Sequence, residues 1–423
     1  MKQKLIYLLI LMAGVFNACD NKDTEYIFDK SINERFAELK ANYNAKLRAP
    51  ENGWVGYYNA NEKAGAFTLL LKFRDDGTVI MNSDYRGGTT NDTITYKIVK
   101  KQDITLVFES WSVLHAIYET NNNDFGGEYV FNISQVKDDE VTLTSKTDNG
   151  YGDDEVTELV LKPASVKNWD LSDVYQSEKN LIGGSKSVFR SFKAAETPIA
   201  AFTYLASERS AFISYIENDT TKTVTSPLRI TPNGFCFIKA LTIKGKTLEC
   251  FTYDTEQEVF VDKTSGVSLG HDLVPKLPLT PYEFGKKGNA RYNYLEEGKS
   301  SIAFVKFYKE YTASMEKQGI TISRVYMRSL NKNVSYFHIY TNLGNVWFDF
   351  TYKIKDDGRV YFTLTGDTNA GSLAPLFQPL LDKWLNTNGH YIEGTGGLLN
   401  YPNGTFSLIN ADDPSLKINF YDF

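Results

Sequence analysis

The chain is short of the residues that usually announce chemistry, with 3 cysteines, 4 histidines and 5 methionines among 423 residues. His115, His271, His338 and His390 include no His-Glu-x-x-His pair, and no two cysteines are spaced Cys-x-x-Cys. The ligand spacings of a zinc hydrolase or zinc ribbon are therefore missing. No Gly-x-x-x-x-Gly-Lys-Ser/Thr loop occurs, which argues against a P-loop nucleotide site, and no nucleophile elbow of the Gly-x-Ser-x-Gly kind is expected. Positive charge is not in excess either: 46 Lys and Arg stand against 52 Asp and Glu, a net charge of −6. A phosphate-backbone partner needs a clustered basic face, so nucleic acid is not an expected partner. The apolar run Leu5–Phe16 is too short for a bilayer, which takes about 20 residues.

What the chain has instead is aromatic side chains. Tyr and Phe number 27 each and aromatics reach 14%, a composition that suits the half-buried pleat of strands. Hydrophobic content of 42% and charged content of 23% are ordinary for globular protein. The length exceeds one ordinary core and points to two or three domains. The expected fold class is α+β, mostly antiparallel β-sheets with a few packed helices.

The first 25 residues read as an address. Lys2 and Lys4 precede the apolar run, and Asn17, Ala18 and Cys19 follow it. A charged start, a short apolar core and a small residue before the cut make a secretory signal. The cysteine directly after the small residue makes it resemble a bacterial lipoprotein signal, in which Cys19 would be acylated and become the mature N-terminus. Phe16 and Asn17 depart from the strictest form of that signal. Asp20, Asn21, Lys22, Asp23 and Glu25 resemble the acidic tether that directs such lipoproteins to the outside of the outer membrane. The competing reading is a plain signal with a chance cysteine. Loss of Lys2 and Lys4 with residues 1–18 would leave the mature chain two charges more negative.

After a tether at 19–27, three regions are expected: 28–163, an N-terminal antiparallel β domain with a leading helix; 164–290, a middle α+β region with a hairpin; and 291–423, a C-terminal α+β domain. The clearest helix is 31–48, where Ser31 and Glu34 form a capping box and Ile32, Phe36, Leu39, Tyr43 and Leu47 recur at helical spacing. From Trp54 the apolar period becomes two, and eight strands are expected up to Pro163. Helices are further expected near 166–181, 198–208, 300–318 and 371–387, the last troubled by Pro379. LLLKFRDDGTVIM and FTYKIKDDGRVYF could be traces of a duplication. The alternative is that Asp-Asp-Gly is simply a favoured hairpin turn.

In FCFIKALTIKGKTLECFTY (235–253), a two-residue turn at Lys244-Gly245 would place Cys250 opposite Lys239 and Cys236 opposite Tyr253. The thiols would then face opposite sides of the ribbon, too far apart to bond. Two free buried thiols are expected.

The candidate ligand-binding residues lie in ESWSVLHAIYETNNNDFGGEY, a polar and aromatic connection between strands. Trp111, His115, Tyr118 and Asp124 could line a sugar site, rings stacking and Asp and His bonding hydroxyls. The plainer reading has Trp111 and Tyr118 packing a sheet edge. Asp148, Asn149, Asp153, Asp154 and Glu155 offer oxygen ligands without a calcium-loop order, and a solvated hairpin tip is the preferred reading. No catalytic residue, metal or cofactor is expected. A carboxylate pair for glycoside hydrolysis depends on a separation that only a fold defines.

DKSINERF, NGW at 52–54, AFTLLLKF, ITLVFES followed by His115, GGEYVF at 126–131 and LTIKGKTLECFTYD together resemble Bacteroidetes lipoproteins of the domain-of-unknown-function family 4302, over nearly the whole mature chain. The resemblance implies an outer-membrane, surface-facing lipoprotein, held by its N-terminal lipid and placed near transporter components and glycan-capturing lipoproteins. It carries no catalytic residues. The expected role is binding or accessory work beside a nutrient importer, leaning away from an enzyme. A glycan or peptide hydrolase and a cell-surface adhesin or structural module are the alternatives.

Overall fold

The computed structural model describes residues 30–60, 64–85, 92–119, 126–145, 157–206, 208–280, 282, 284, 291–296, 299–331, 334–395 and 405–422. The structure is mostly antiparallel β, and among the described residues its strands form three closed barrels of eight strands each. Every strand pairs with its neighbour in sequence and the last closes on the first. Each barrel therefore has no open edge to blunt.

The helix α1 (Ile32–Arg48) begins at the expected capping box, with the Ser31 side chain accepting from the Glu34 amide. Only Leu47 on it is fully buried. The helix is tied to the first barrel at that end, where the Trp54 indole donates to the Leu47 carbonyl at 2.7 Å. Barrel 1 consists of β1 (Trp54–Tyr58), β2 (Phe67–Phe73), β3 (Thr78–Ser83), β4 (Asp92–Lys100), β5 (Ile104–Phe108), β6 (Val130–Val136), β7 (Val141–Ser145) and β8 (Glu158–Pro163). A short helix, α2 (Val113–Glu119), lies inside the connection from β5 to β6, where sequence suggested only loop.

Barrel 2 follows α3 (Ser172–Ile182) and consists of β9 (Arg190–Ala194), β10 (Thr197–Leu205), β11 (Ser210–Glu217), β12 (Thr220–Thr231), β13 (Gly234–Ile243), β14 (Lys246–Asp254), β15 (Val259–Asp262) and β16 (Val267–His271). The helix expected at 198–208 is thus a strand. Ile199, Ala200 and Phe202 are buried in the barrel core, and Pro198 sits where the β9–β10 register shifts. Pairing on both sides overrides the local helix preference of Ala and Leu.

Barrel 3 consists of β17 (Arg291–Glu296), β18 (Ile322–Asn331), β19 (Val334–Thr341), β20 (Gly344–Ile354), β21 (Val360–Thr368), β22 (His390–Gly394), β23 (Thr405–Asn410) and β24 (Lys417–Asp422). Its long helix, α4 (Ile302–Glu316), runs between the first and second strands instead of ahead of them. A second helix, α5 (Ala374–Leu381), stops well before residue 387; Pro379 lies inside it and a 3₁₀ turn precedes it. The two Asp-Asp-Gly hairpins join the second and third strands of barrel 1 but the fourth and fifth strands of barrel 3. They are not equivalent positions of a repeat, so the hairpin resemblance reflects turn chemistry.

The free-thiol expectation is overturned. The register around Lys244-Gly245 is as expected, Ile243 facing Lys246 and Leu241 facing Leu248. Both turn residues adopt positive φ, as a two-residue hairpin turn of this type requires. Beyond Leu241 a bulge places Phe237–Ala240 on β13 against Glu249 alone on β14. Three surplus residues, an odd number, reverse which side chains face each other. Cys236 then lies opposite Cys250 with a Cα–Cα distance of 4.1 Å, and the two form a disulfide.

Barrels 1 and 2 are joined through their walls. Leu70 on β2 faces away from barrel 1 and belongs to the core cluster of barrel 2. Ala66 and Arg229 form a parallel bridge, and the Gly65 amide donates to the Glu208 carbonyl at 2.8 Å. A Cβ at Gly65 would run into the Arg209 backbone, so the approach requires glycine. Arg209, 2% exposed, donates to the Asp84 carboxylate at 2.8 Å and to the Ala66 carbonyl at 3.2 Å, with Glu178 3.5 Å away. Burial works against its charge, but Asp84 and Glu178 more than offset that and hold the guanidinium above its ordinary pKa. Barrels 2 and 3 meet where the Val188 amide donates to Pro414 and Phe189 stacks edge-on against Tyr391.

Candidate functional site

The barrel interiors are filled with apolar side chains. In barrel 1, Trp54, Phe108, Phe131, Leu69 and Leu143 share one buried cluster. The site therefore has to be sought on a barrel's outside or between barrels. The outside of barrel 1 offers an aromatic platform built on α2. Val113, Leu114 and Ile117 are fully buried in the barrel core and fix the rotation of this short helix. His115 and Tyr118, three residues apart, share one face of α2, and Trp111 lies just ahead of the helix. They emerge on the side away from those anchors: Trp111 is 51% exposed and Tyr118 37%.

The partner that sequence reasoning missed is Tyr129. It comes from the GGEYVF motif, and the two glycines explain how it arrives. Gly126 has φ of 60°, a left-handed conformation that favours glycine. A Cβ on Gly127 would meet the Tyr118 backbone nitrogen at 2.6 Å, so the chain can press against α2 only with glycine there. Glu128 is buried and its carboxylate accepts from the amides of Tyr129 and Val130 at 3.1 and 3.2 Å, fixing the turn into β6. Tyr129 then stacks on His115 with ring centroids 4.2 Å apart and planes 19° from parallel. Trp111 continues the row at 6.0 Å from His115, and Tyr118 meets Tyr129 edge-on at 5.2 Å.

The imidazole is an aromatic plate here. Burial holds its pKa below the ordinary histidine value, against a weaker opposite pull from Glu119. Its Nδ1 lies 3.0 Å from the Ser112 hydroxyl. An uncharged row of rings, one end of it half in solvent, can receive the apolar face of a ring-shaped ligand by dispersion and ring-face contact. The site residues Trp111, His115 and Tyr118 thus lie together, whereas Asp124 and Cys19 lie outside the described residues, as does the acidic loop at 148–155. His338 is a residue of strand β19.

One other motif resolves as structure. GVSLG at 266–270 has the spacing Gly-x-Ser-x-Gly, but Ser268 lies inside β16 opposite Lys193 and Val261. It is not on the strand-to-helix turn that a nucleophile elbow needs. Among the described residues no group of three or more His, Cys, Asp or Glu side chains is placed to hold a metal ion. No helix among them is long and apolar enough to cross a membrane.

The family model described as Domain of unknown function (DUF4302) matches residues 24–255, more than half of the chain. The chain belongs to this family. The DUF4302 match takes in α1, all of barrel 1 with its aromatic platform, and barrel 2 through β14, so the family likeness is shown for that part of the chain. The motifs that build the platform, ITLVFES with His115 and GGEYVF, fall inside it. Comparison with the curated proteins finds no match.

Proposed function

We propose that this DUF4302 protein is a lipid-anchored binding protein of a Bacteroidetes outer membrane, facing the cell exterior, and that it presents a glycan to a neighbouring nutrient importer. The observation that carries the reading is the exposed Trp111 ring at the end of a row continued by the part-buried His115 and Tyr129, held on a barrel by buried anchors. A preset platform of this kind binds without paying to order itself. The anchor rests on the signal ending at Cys19 and the acidic run from Asp20 to Glu25. A disulfide between Cys236 and Cys250 supports an oxidising compartment, where such bonds persist.

Glycan-array binding by the soluble chain, begun after Cys19, tests the reading, and protease added to intact cells checks the location. The wild type should bind at least one glycan, and Trp111→Ala should weaken that binding by about 1–3 kcal/mol, the scale of a buried aromatic contact. Its melting transition should stay within about 0.5 kcal/mol of the wild type, because a half-exposed ring contributes little to folding. Release of cleaved sugar by the purified wild type would overturn a binding role in favour of hydrolysis.

A further inference from the structure

At the junction of barrels 2 and 3 lies a cavity of about 210 Å³. It is framed by the end of α3, the start of β9, the end of β10, the first turn of α4 and the start of β24. Lys186, Arg190, His271, Lys299 and Lys417 line it, and no carboxylate is among its lining residues. Three of the cations have an acid nearby. Lys186 is 2.7 Å from Glu258, Lys299 is 3.1 Å from Glu208, and Glu393 acts on the half-buried Lys417.

Arg190 is different. It is 8% exposed and has no carboxylate partner among the described residues. Its Nη1 donates to the Leu181 carbonyl at the end of α3, and its guanidinium lies over the rings of Phe202 and Phe260. Its buried Nε has no hydrogen-bond partner among the described residues. A buried cation with neither counter-ion nor full hydrogen bonding is costly to keep. The rest of the lining is aliphatic on one part, with Leu181, Ile182, Val188, Leu205 and Ile302, and hydroxyl-bearing on another, with Ser187, Thr203, Tyr204, Ser300 and Ser301.

We propose that this cavity binds a small organic anion, its carboxylate paired with Arg190 and its apolar body against Leu181, Val188 and Leu205. The charge balance favours one negative charge, since the lysines already have acids beside them. The first turn of α4, entered through Ser301, adds the positive end of a helix dipole on the same wall. Burial pushes the Arg190 pKa down to about 10, and a bound anion would relieve that cost. His271 is held at about 4 by burial and then by Arg190, so it leaves the positive charge of the cavity to the lysines and Arg190. The site shares no residue with the aromatic platform and does not depend on its being a glycan site.

Calorimetric titration of the full chain with benzoate tests this, with benzamide as the uncharged equivalent of the same shape and inorganic sulfate as the bare anion. Benzoate should bind saturably, and benzamide and sulfate should bind at least about tenfold more weakly, as loss of a charged hydrogen-bonded pair or of apolar contact implies. Arg190→Met should weaken benzoate by about tenfold or more. Because Arg190 also holds the end of α3, Lys186→Glu serves as the second variant; its ion pair with Glu258 is solvent-exposed, and the reversed charge should weaken benzoate by about fivefold. Equal binding of benzamide, equal binding of sulfate, no saturable benzoate binding, or benzoate binding unchanged in both variants would each overturn the proposal.

Discussion

His390 lies in the wall of barrel 3 at 1% exposure, with its Nε2–H donating to the Lys383 carbonyl at 2.9 Å. Burial, against the pull of that hydrogen bond, lowers its pKa to about 4. An unfolded histidine takes up its proton near 6.5. Between pH 6.5 and 4 the unfolded chain therefore binds a proton that the folded chain refuses, and stability falls as the pH falls. The loss from this residue reaches about 3 kcal/mol below pH 4 and is absent above 6.5. Urea midpoints across that range should drop less steeply in His390→Gln than in the wild type, and parallel curves would contradict the assignment. Residue-scale features of this kind were unevenly legible. Trp111, His115 and Tyr118 could be picked from their spacing and chemistry. Tyr129 could not, because its place depends on Gly127 meeting the backbone of α2. The only local signal was the paired glycine before it.

At the scale of elements, local rules worked where local forces decide. The capping box of α1, the Lys244-Gly245 turn and the alternating strands of barrel 1 follow from side chains near one another in sequence. They failed where long-range pairing decides. β10 carries a helix-like pattern yet pairs as a strand, and the seven residues of α2 make too weak a periodic signal to stand out from a loop. The β13–β14 ribbon shows the same limit within one hairpin: its turn was legible, the bulge beyond it was not, and the cysteines changed from free to bonded. Under denaturing conditions, maleimide should label Cys236 and Cys250 only after reduction. Replacing both by serine should cost about 2–4 kcal/mol, the usual range for a loop with this sequence separation of 14. Full labelling without reductant would restore the free-thiol reading.

At the scale of the molecule, closure of each barrel joins strands about a hundred residues apart in sequence, as where β1 meets β8, and no local pattern encodes it. Alternation shows that strands are present, but it does not separate an open sheet from a closed one. The joint between barrels 1 and 2 was equally hidden, since Arg209 and Asp84 are unremarkable in sequence and meet only in the fold. Arg209→Met should lower stability by about 3–5 kcal/mol, because it leaves the Asp84 carboxylate buried without its partner. A loss under about 1 kcal/mol in denaturant unfolding would show that the joint does not depend on the pair. The platform on α2 carries the functional account, and one measurement tests it most directly: the affinity of the wild type and of Trp111→Ala for the glycan that the wild type selects. The account predicts binding by the wild type and a loss of about 1–3 kcal/mol in a variant that melts normally. Equal affinity in the two proteins, or no glycan bound by either, would contradict it.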